Sequence, residues 1–271
     1  MRNHLRHATA AAIVGLACIA GPTGAHQQWL APSFSFQSGE GAWLTFDHTF
    51  GDQRFRPSSG PGSYYSWWIV GPDGLKSNVP HLFLGKTRTV GEVELTEPGT
   101  YRLEAVEDNM AWTRIKVGGE EKWQPGTRAD FEGFEVVSSR TYFIKAVAYV
   151  TLEKASPAAV AATGDPLEIL FDDHPAELSA DRMLRVRVLG SGKPLADQEV
   201  QLFSEATEGH DASGSCSTDE DGRCELSIAE PGRFLLQTST EGSYPDGSPT
   251  DGFSHRLTVM IELKAAAATT E

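Results

Sequence analysis

One seven-residue motif occurs twice in the sequence, and it constrains the fold more than any other feature. Glu97-Pro98-Gly99-Thr100-Tyr101-Arg102-Leu103 returns as Glu230-Pro231-Gly232-Arg233-Phe234-Leu235-Leu236. In each copy Pro-Gly predicts a turn, and an aromatic residue then enters the next alternating run, where it would pack in a core. This arrangement is typical of the corner between strands E and F of an immunoglobulin-like sandwich. Two copies so far apart predict two domains of similar build.

Short runs of alternating polarity, separated by Gly, Pro, Asp and Ser, fill the rest of the chain, and long runs of helical period are scarce. Residues 142–152 have the β-branched and aromatic content of a strand, although their length and two alanines also permit a helix. Trp67 and Trp68 are adjacent in one run, so one is expected in the core and the other exposed or covered by the Gly/Pro/Ser loop 56–63. The other predicted strands are 42–46, 66–70, 93–95, 100–105, 184–189, 199–203, 223–228, 233–238 and 255–263.

These patterns predict an all-β protein of two tandem immunoglobulin-like β-sandwich domains. Hydrophobic residues are 39% of the 271 residues, which is enough for a core in each domain. Residues 154–165 are mostly Ala, Ser, Pro, Thr and Gly, and they predict a linker between a first domain, 26–153, and a second domain, 166–264. Residues 265–271 predict a flexible tail.

Residues 1–25 have the composition of a secretory signal peptide. Two arginines give a positive start, residues 8–20 give an apolar run shorter than a membrane span, and Thr23-Gly24-Ala25 gives the small residues before a cleavage site. Cleavage there predicts a periplasmic protein that begins at His26 and has no transmembrane segment. A lipoprotein cut before Cys18 and a buried first helix are the alternatives.

Removing residues 1–25 changes the formal net charge from −14 to −16, because two arginines and no acidic residue are lost. An acidic chain of this kind argues against nucleic acid as the main partner. Two cysteines remain, Cys216 and Cys224, and an even pair in an exported protein predicts a disulfide. Asp221-Gly222 between them is a hairpin-turn signal, so the two sulfurs are expected to face each other across a hairpin. The spacing is not that of a redox-active Cys-x-x-Cys pair.

Six histidines remain after cleavage, and His26 stands apart because the cut makes it the first residue. Its free α-amine and its imidazole can chelate one metal ion once both have lost their protons. Nitrogen ligands of this type suit nickel, cobalt, copper and zinc. His48, which ends a predicted strand beside two carboxylates, is the second candidate ligand, and His255, near the last strand, is the third. The remaining three, for which a structural role is favoured, are His81, His174 and His210.

No motif of a catalytic site occurs in the sequence. The phrases GxSxG, HExxH, the P-loop and the dinucleotide fingerprint are all absent. Residues 219–222 resemble part of a calcium loop, but a hairpin turn explains them better. We therefore expect the protein not to be an enzyme.

A series of short sequence motifs, in a fixed order along the chain, indicates a resemblance to a known family. It begins with the mature start His26-Gln27-Gln28-Trp29-Leu30-Ala31-Pro32, and its later members are residues 70–74, 97–101, 112–114, 145–150, 192–195 and 218–223. The series resembles a bacterial domain-of-unknown-function family of exported proteins that includes periplasmic components of nickel and cobalt uptake systems. The resemblance implies a metal-handling role with His26 as a ligand. It also implies a strand-end histidine at His48, although Thr49 stands where relatives have proline. The second domain is similar to the carboxypeptidase-regulatory type of sandwich.

Three functions compete on this basis. The first is a periplasmic binding or accessory protein for a divalent transition metal, nickel or cobalt, which would feed an uptake transporter or outer-membrane receptor. The second is a non-catalytic module for an envelope partner or a glycan, which exposed Trp and Tyr side chains in residues 64–68 would favour. The third is a copper enzyme with an N-terminal histidine brace, which needs a second histidine to meet His26 in space.

Overall fold

The computed structural model describes residues 27–51, 53–60, 64–180, 182–207 and 211–265. His26, His210, the predicted signal segment and most of the predicted tail lie outside these residues. Within them the chain forms strands and three short 3₁₀ turns, at Arg128–Phe131, Ala158–Val160 and Pro175–Glu177, with no α-helix. None of the described segments is a helix of the length and hydropathy needed to cross a membrane.

The strands in chain order are β1 (Gln27–Pro32), β2 (Phe36–Gln37), β3 (Ala42–Gly51), β4 (Ser66–Val70), β5 (Lys76–Asn78), β6 (His81–Leu84), β7 (Thr89–Leu95), β8 (Gly99–Val117), β9 (Glu120–Pro125), β10 (Glu135–Leu152), β11 (Glu168–Phe171), β12 (Leu184–Gly190), β13 (Lys193–Pro194), β14 (Glu199–Ser204), β15 (Gly214–Ser217), β16 (Arg223–Leu226), β17 (Gly232–Ser243) and β18 (Gly252–Leu263).

These strands form three sheets. The first outer sheet has the order β1-β3-β7-β6, and the second contains β11-β12-β13 with β16 beside β12. A central sheet has the order β15-β14-β17-β18-β10-β8-β4-β5, with β9 beside β8 and β2 beside one end of β10. Strand β10 pairs in parallel with β18 and with β2, whereas the other strand pairs are antiparallel.

The two outer sheets cover opposite faces of the central sheet. Side chains alternate along β10, so Ala146 and Ala148 enter the core under the first outer sheet, while Val147 and Tyr149 enter the core under the second. The expectation of two immunoglobulin-like sandwiches in an all-β chain is confirmed. The sandwiches share one sheet, because β10 of the first half pairs with β18 of the second from Arg140↔Gly252 to Ala148↔Met260.

The predicted strands are all present, several of them longer than the sequence patterns suggest. Residues 142–152 belong to the strand β10, as the β-branched content favours. Trp67 is buried in the first core, whereas Trp68 is half-buried, and the Lys76 ammonium lies 5.0 Å from its ring centre. This confirms that the two tryptophans occupy opposite faces of β4.

The first Pro-Gly corner is closed by a tyrosine. The Tyr101 hydroxyl donates to the Glu97 carbonyl at 2.8 Å and accepts from the Glu97 backbone N–H at 3.0 Å. This is the tyrosine corner of immunoglobulin-like sandwiches. The second corner has Phe234 at the corresponding position, and its ring is buried in the second core without such bonds.

The segment predicted as a linker, 154–165, is fixed against the central sheet. Ala159 is fully buried, and the Arg102 guanidinium donates to the carbonyls of Ala159 and Ala161 at 2.8 and 3.2 Å. Lys145 also forms an ion pair with Asp165 at 2.6 Å. The segment therefore packs against the central sheet, although its composition predicts little burial. The domain limits on either side of it remain a prediction.

The disulfide between Cys216 and Cys224 is present. Its position differs from the expected one, because the two cysteines do not face each other across a hairpin. Cys216 lies on β15, which pairs with β14, whereas Cys224 lies on β16, which pairs with β12 of the second outer sheet. The turn before Arg223 thus carries the chain from one sheet to the other, and the disulfide joins the two sheets of the second sandwich.

Candidate functional site

His48 lies inside the first sandwich, at the end of the molecule where β1 begins. It has no solvent exposure, and its ring packs edge-on against Tyr65 and Trp67, with ring centres 5.0 and 5.9 Å away. Its Nε2 is 2.9 Å from Gln28 Oε1, and its Nδ1 accepts from the Trp67 indole N–H at 3.1 Å. Both ring nitrogens therefore already have partners.

These partners fix the tautomer of His48. An indole N–H is only a donor, so Nδ1 is unprotonated and Nε2 carries the hydrogen that Gln28 Oε1 accepts. Burial lowers the pKa of His48 to about 3, so the ring stays neutral. A metal ion at His48 would have to replace one of these two buried hydrogen bonds.

A buried carboxylate continues this polar region. Glu107 Oε1 accepts from the Trp112 indole N–H at 2.7 Å, and the carboxylate lies close enough to Tyr65 to affect its hydroxyl. Burial and the Glu107 charge raise the pKa of Tyr65, while Arg256 acts in the opposite direction. Glu107 thereby connects the interior of the first sandwich to Trp112, which is partly exposed.

The structure does not bring His48 and His255 together. Arg256 shares the side of the central sheet that Tyr65 occupies, so its neighbour His255 points to the opposite side. His255 stacks on Phe253 at 4.5 Å and meets Phe143 edge-on at 6.0 Å. Burial lowers its pKa, and a hydrogen bond to the Pro166 carbonyl acts against that effect.

The other described histidines also lie apart. His81 is on the exposed edge strand β6, near Trp43, and His174 caps the 3₁₀ turn that begins at Pro175. Over the described part of the chain, no group of three or more His, Cys, Asp or Glu side chains is placed to hold a metal ion.

A second buried cluster carries charge on the opposite side of the central sheet, under residues 159–165. The Glu104 carboxylate pairs with Lys145, Lys76 and Arg102 at 2.6, 2.7 and 2.8 Å. Burial alone raises the pKa of Glu104, but Lys145 and Arg102 outweigh it and lower the pKa to about 2. The carboxylate and two of its cations are almost fully buried, which indicates a structural role.

An open surface continues from the first core along the central sheet. It is formed by β9 and the neighbouring ends of β8, β10, β18 and β17, where strand register places Trp112 opposite Arg140, and Arg114 opposite Trp123. Side chains paired in this way project from the same side of a sheet. We name this surface the aromatic–arginine face, and it consists of Tyr64, Trp112, Arg114, Trp123, Arg140, Tyr142 and Glu241.

The rings of this face are held in pairs. Tyr64 meets Trp112 edge-on at 5.4 Å, and Trp123 meets Tyr142 edge-on at 6.3 Å. Tyr64 and Trp123 nevertheless remain 47% and 46% exposed. Each exposed ring is thus supported by a less exposed ring, an arrangement that limits its motion while leaving surface for a ligand.

Arginines and a glutamate lie among these rings. The Arg114 guanidinium is 5.5 Å from the Trp123 ring centre and pairs with Glu121 at 3.1 Å. Arg140 pairs with Glu241 at 3.7 Å, and Glu241 also accepts from the buried Ser254 hydroxyl at 3.1 Å. Burial raises the pKa of Tyr142, with Arg256 and Arg140 acting in the opposite direction. Donors and acceptors therefore alternate with aromatic surface.

The other side of the same strands is closed. Thr113 and Ser139 are fully buried and their hydroxyls lie 2.8 Å apart, while Thr113 also donates to the Gly126 carbonyl at 2.7 Å. Asp251 accepts from the Ser139 backbone N–H at 2.8 Å and pairs with Arg128 at 2.6 Å. The chain on either side of the first 3₁₀ turn covers Thr113 and Ser139, so at these positions the strands are open to solvent on the side of the aromatic–arginine face.

Most of this face was not found from the sequence. The expectation of exposed aromatic rings in residues 64–68 is met by Tyr64 alone, because Tyr65 and Trp67 are buried. The signal that could have revealed the face is the alternation of side chains along two strands that pair. Trp112 and Arg114 lie two residues apart on one strand, and Arg140 and Tyr142 lie two residues apart on the next. Each pair separately is a common strand pattern, and only the pairing of β8 with β10 unites them.

Comparisons with known proteins identify a family. A family model described as "Domain of unknown function (DUF4198)" matches residues 23–242. No curated protein matches the chain.

Among solved structures, the D0-D1 domain of intimin is 13% identical, with 86% of this chain and 96% of that chain covered at a TM-score of 0.23. A DUF4785 family protein from Legionella pneumophila is 12% identical over 77% of this chain and 50% of its own, with a TM-score of 0.24. The FN1-FN3 domains of chicken CNTN1 are 8% identical over 87% and 97%, with a TM-score of 0.25. No functional assignment follows from similarities this low.

Proposed function

We propose that this chain, which belongs to the DUF4198 family, is a non-catalytic binding protein of the bacterial cell envelope. The observation that carries the proposal is the aromatic–arginine face, where half-exposed rings and ordered ion pairs lie together on one side of the central sheet. Binding surfaces are enriched in Trp, Tyr and Arg, and in rings that are rigid before the ligand arrives. The predicted signal peptide adds the expectation of a periplasmic location.

The binding role can be tested with the secreted protein. The full gene, with its own signal segment, is expressed in a bacterial host, and intact mass decides whether the periplasmic product begins at His26. That product is then mixed with the insoluble envelope fraction and sedimented. We expect the double variant Tyr64→Ala/Trp123→Ala to lose at least about tenfold in adsorption, the scale of two exposed anchor residues.

Trp43→Ala is the matched control, because Trp43 is 59% exposed on the first outer sheet and lies outside the face. It should adsorb like the wild type, and all three proteins should have the same thermal midpoint. Equal adsorption of the double variant and the wild type would refute the proposed role of the face.

A second candidate is capture of nickel or cobalt at His26, with delivery to an uptake transporter or an outer-membrane receptor. The observation that favours it is the position of β1, which begins at Gln27 and buries Gln28 and Trp29. A chain cleaved after Ala25 would carry its amine one residue ahead of a fixed strand. Such a chelate needs further ligands for selectivity, and His48 could serve only by giving up a buried hydrogen bond.

This candidate is tested by titrating Ni²⁺, Co²⁺ and Cu²⁺ into the protein that starts at His26 and into a version with one extra alanine before it. The extra residue keeps the imidazole and moves the amine. Tighter binding by the first protein, weakening below about pH 6 where both groups hold protons, supports the chelate. Equal binding by both proteins rules out the N-terminal chelate. It also rules out the copper enzyme with a histidine brace, which would need the same chelate.

A further inference from the structure

We infer that the aromatic–arginine face binds a linear saccharide chain. The inference rests on the proposed function as a binding protein and names the chemistry of the ligand. Neighbouring strands are about 4.8 Å apart, so the five strands that build this face span about 19 Å. The surface is therefore wide enough for several linked sugar rings.

The exposed rings suit the apolar sides of sugar rings. The face of an aromatic ring carries partial negative charge and attracts the weakly positive C–H groups that a sugar ring presents. Trp123 and Tyr64 are about half exposed, and each is supported edge-on by a second ring. Two ring pairs on one face offer stacking surface to more than one sugar, which favours a chain of sugars over a single sugar.

The charged groups suit the hydroxyls of the same ligand. A sugar hydroxyl donates and accepts hydrogen bonds at once, so it is best met by donors and acceptors side by side. Arg140 and Glu241 offer this combination at 3.7 Å, and Arg114 and Glu121 offer it again at 3.1 Å. These groups are already held by each other and by Ser254, so less freedom is lost on binding.

The charge balance of the face argues against other ligands. Both arginines of the face are paired with carboxylates, and the chain has a net charge of −14, which disfavours a nucleic acid as the ligand. Arginines and a glutamate lie among its ring pairs, whereas the core of a stable protein interface is depleted of charge. A polar ligand with apolar ring faces fits both observations.

The test measures saccharide binding by the secreted protein directly. Isothermal titration is carried out with two soluble probes, a neutral β-glucan and the acidic polysaccharide alginate. We expect saturable binding of at least one probe, with a loss of about tenfold or more in Trp123→Ala and in Tyr64→Ala. Trp43→Ala should bind like the wild type, and a common thermal midpoint shows that every variant is folded.

The arginines are tested by Arg140→Ala and by the choice of probe. If Arg140 bonds to hydroxyls, the variant weakens binding of the neutral probe severalfold. A loss confined to alginate shows that the arginine contacts a carboxylate, and the ligand is then an acidic saccharide. Binding of neither probe by the wild type, or losses equal to that of Trp43→Ala, would overturn the inference.

The failure of this inference can be distinguished from failure of the proposed function. Adsorption to the envelope fraction that depends on Trp123, and that protease treatment of the fraction abolishes while glycosidase treatment does not, indicates a protein partner. In that case the binding role stands and the saccharide is excluded. If the wild type adsorbs no better than the double variant Tyr64→Ala/Trp123→Ala, both proposals fail together.

Discussion

The two sandwiches share one sheet but fill their cores with different side chains. The first core contains Trp29, Tyr65, Trp67 and Tyr101, and it encloses the polar side chain of His48. The second core is mostly Leu, Ile and Val, and a disulfide joins its two sheets. Buried polar groups depend on their partners, whereas aliphatic packing depends on area alone. The first sandwich should therefore be the more sensitive to pH in the range where histidine titrates.

The tryptophans allow this difference to be measured. All six lie at or before Trp123, in the first half of the chain, so tryptophan fluorescence reports on the first sandwich. Far-UV circular dichroism reports on both. Comparing the two signals during unfolding shows which sandwich a given change affects.

The largest effect is expected from acid. The folded-state pKa of His48 is lowered from 6.5 to about 3, so the unfolded chain takes up this proton first. Stability from the neutral ring is complete above about pH 6.5 and is lost as pH falls toward 3, at roughly 1.4 kcal/mol per pKa unit. Urea unfolding followed by tryptophan fluorescence should show this slope in the wild type and lack it in His48→Gln.

His255→Gln is the control for the acid effect. Its ring is only half-buried, and although its pKa is also lowered, it lies away from the first core. The variant should keep most of the wild-type slope. A slope unchanged by His48→Gln would show that the buried ring does not govern acid sensitivity.

Breaking the Glu104 cluster should have the next largest effect. Glu104→Ala leaves Lys145 and Arg102 buried without their shared carboxylate, and loss of one partner of a buried pair costs about 3–5 kcal/mol. Glu225→Ala removes a carboxylate from the exposed pair with Arg185, where solvent screens the charges and only a small loss of stability is expected. Urea denaturation of both variants gives the comparison, and similar losses would contradict it.

Removing the disulfide should affect the second sandwich by a smaller amount. The bridged residues are 8 positions apart, and closing so short a loop contributes roughly 2–3 kcal/mol at most. The variant Cys216→Ser/Cys224→Ser should lower the midpoint seen by circular dichroism more than the midpoint seen by fluorescence. Equal shifts of both signals would mean that the shared sheet makes the sandwiches unfold as one unit.

The smallest effect is expected at the tyrosine corner. Tyr101→Phe gives the first corner the aromatic residue of the second and removes two hydrogen bonds to Glu97, at a cost of about 0.5–1.5 kcal/mol. Tyr244→Phe removes an exposed hydroxyl and should change nothing measurable. Thermal unfolding separates the two variants, and equal midpoints would mean that the corner contributes little.

Local patterns in the sequence were sufficient to predict ten of the eighteen strands of the described residues, but not β1, β9, β11 or most of the short strands. Alternation and turn residues are short-range signals, and β4 is found with its exact limits, 66–70. The repeated Pro-Gly phrase predicts the corner that Tyr101 closes. The number of cysteines was enough to predict the disulfide, but the predicted hairpin between the two cysteines is not present. Strand β16 pairs with the distant strand β12 instead, and the local turn signal Asp221-Gly222 does not specify that pairing.

The candidate sites depend on long-range pairing to a greater degree. Nothing near His48 in the chain shows that Gln28 and Trp67 occupy both of its nitrogens, since these residues meet only when β1, β3 and β4 assemble. The aromatic–arginine face likewise needs the register between β8 and β10. His26 lies outside the described residues, so its role as a metal ligand remains a prediction from the sequence.

The parallel pairing of β10 with β18 has a consequence for how the protein is made. During synthesis β10 emerges long before β18, and the residues 153–251 must follow before the last strand can take its place beside it. Until then one edge of β10 offers unpaired backbone groups to any other strand, including those of a second nascent chain. Chains truncated before Gly252 should consequently aggregate, although the first sandwich has been synthesised in full.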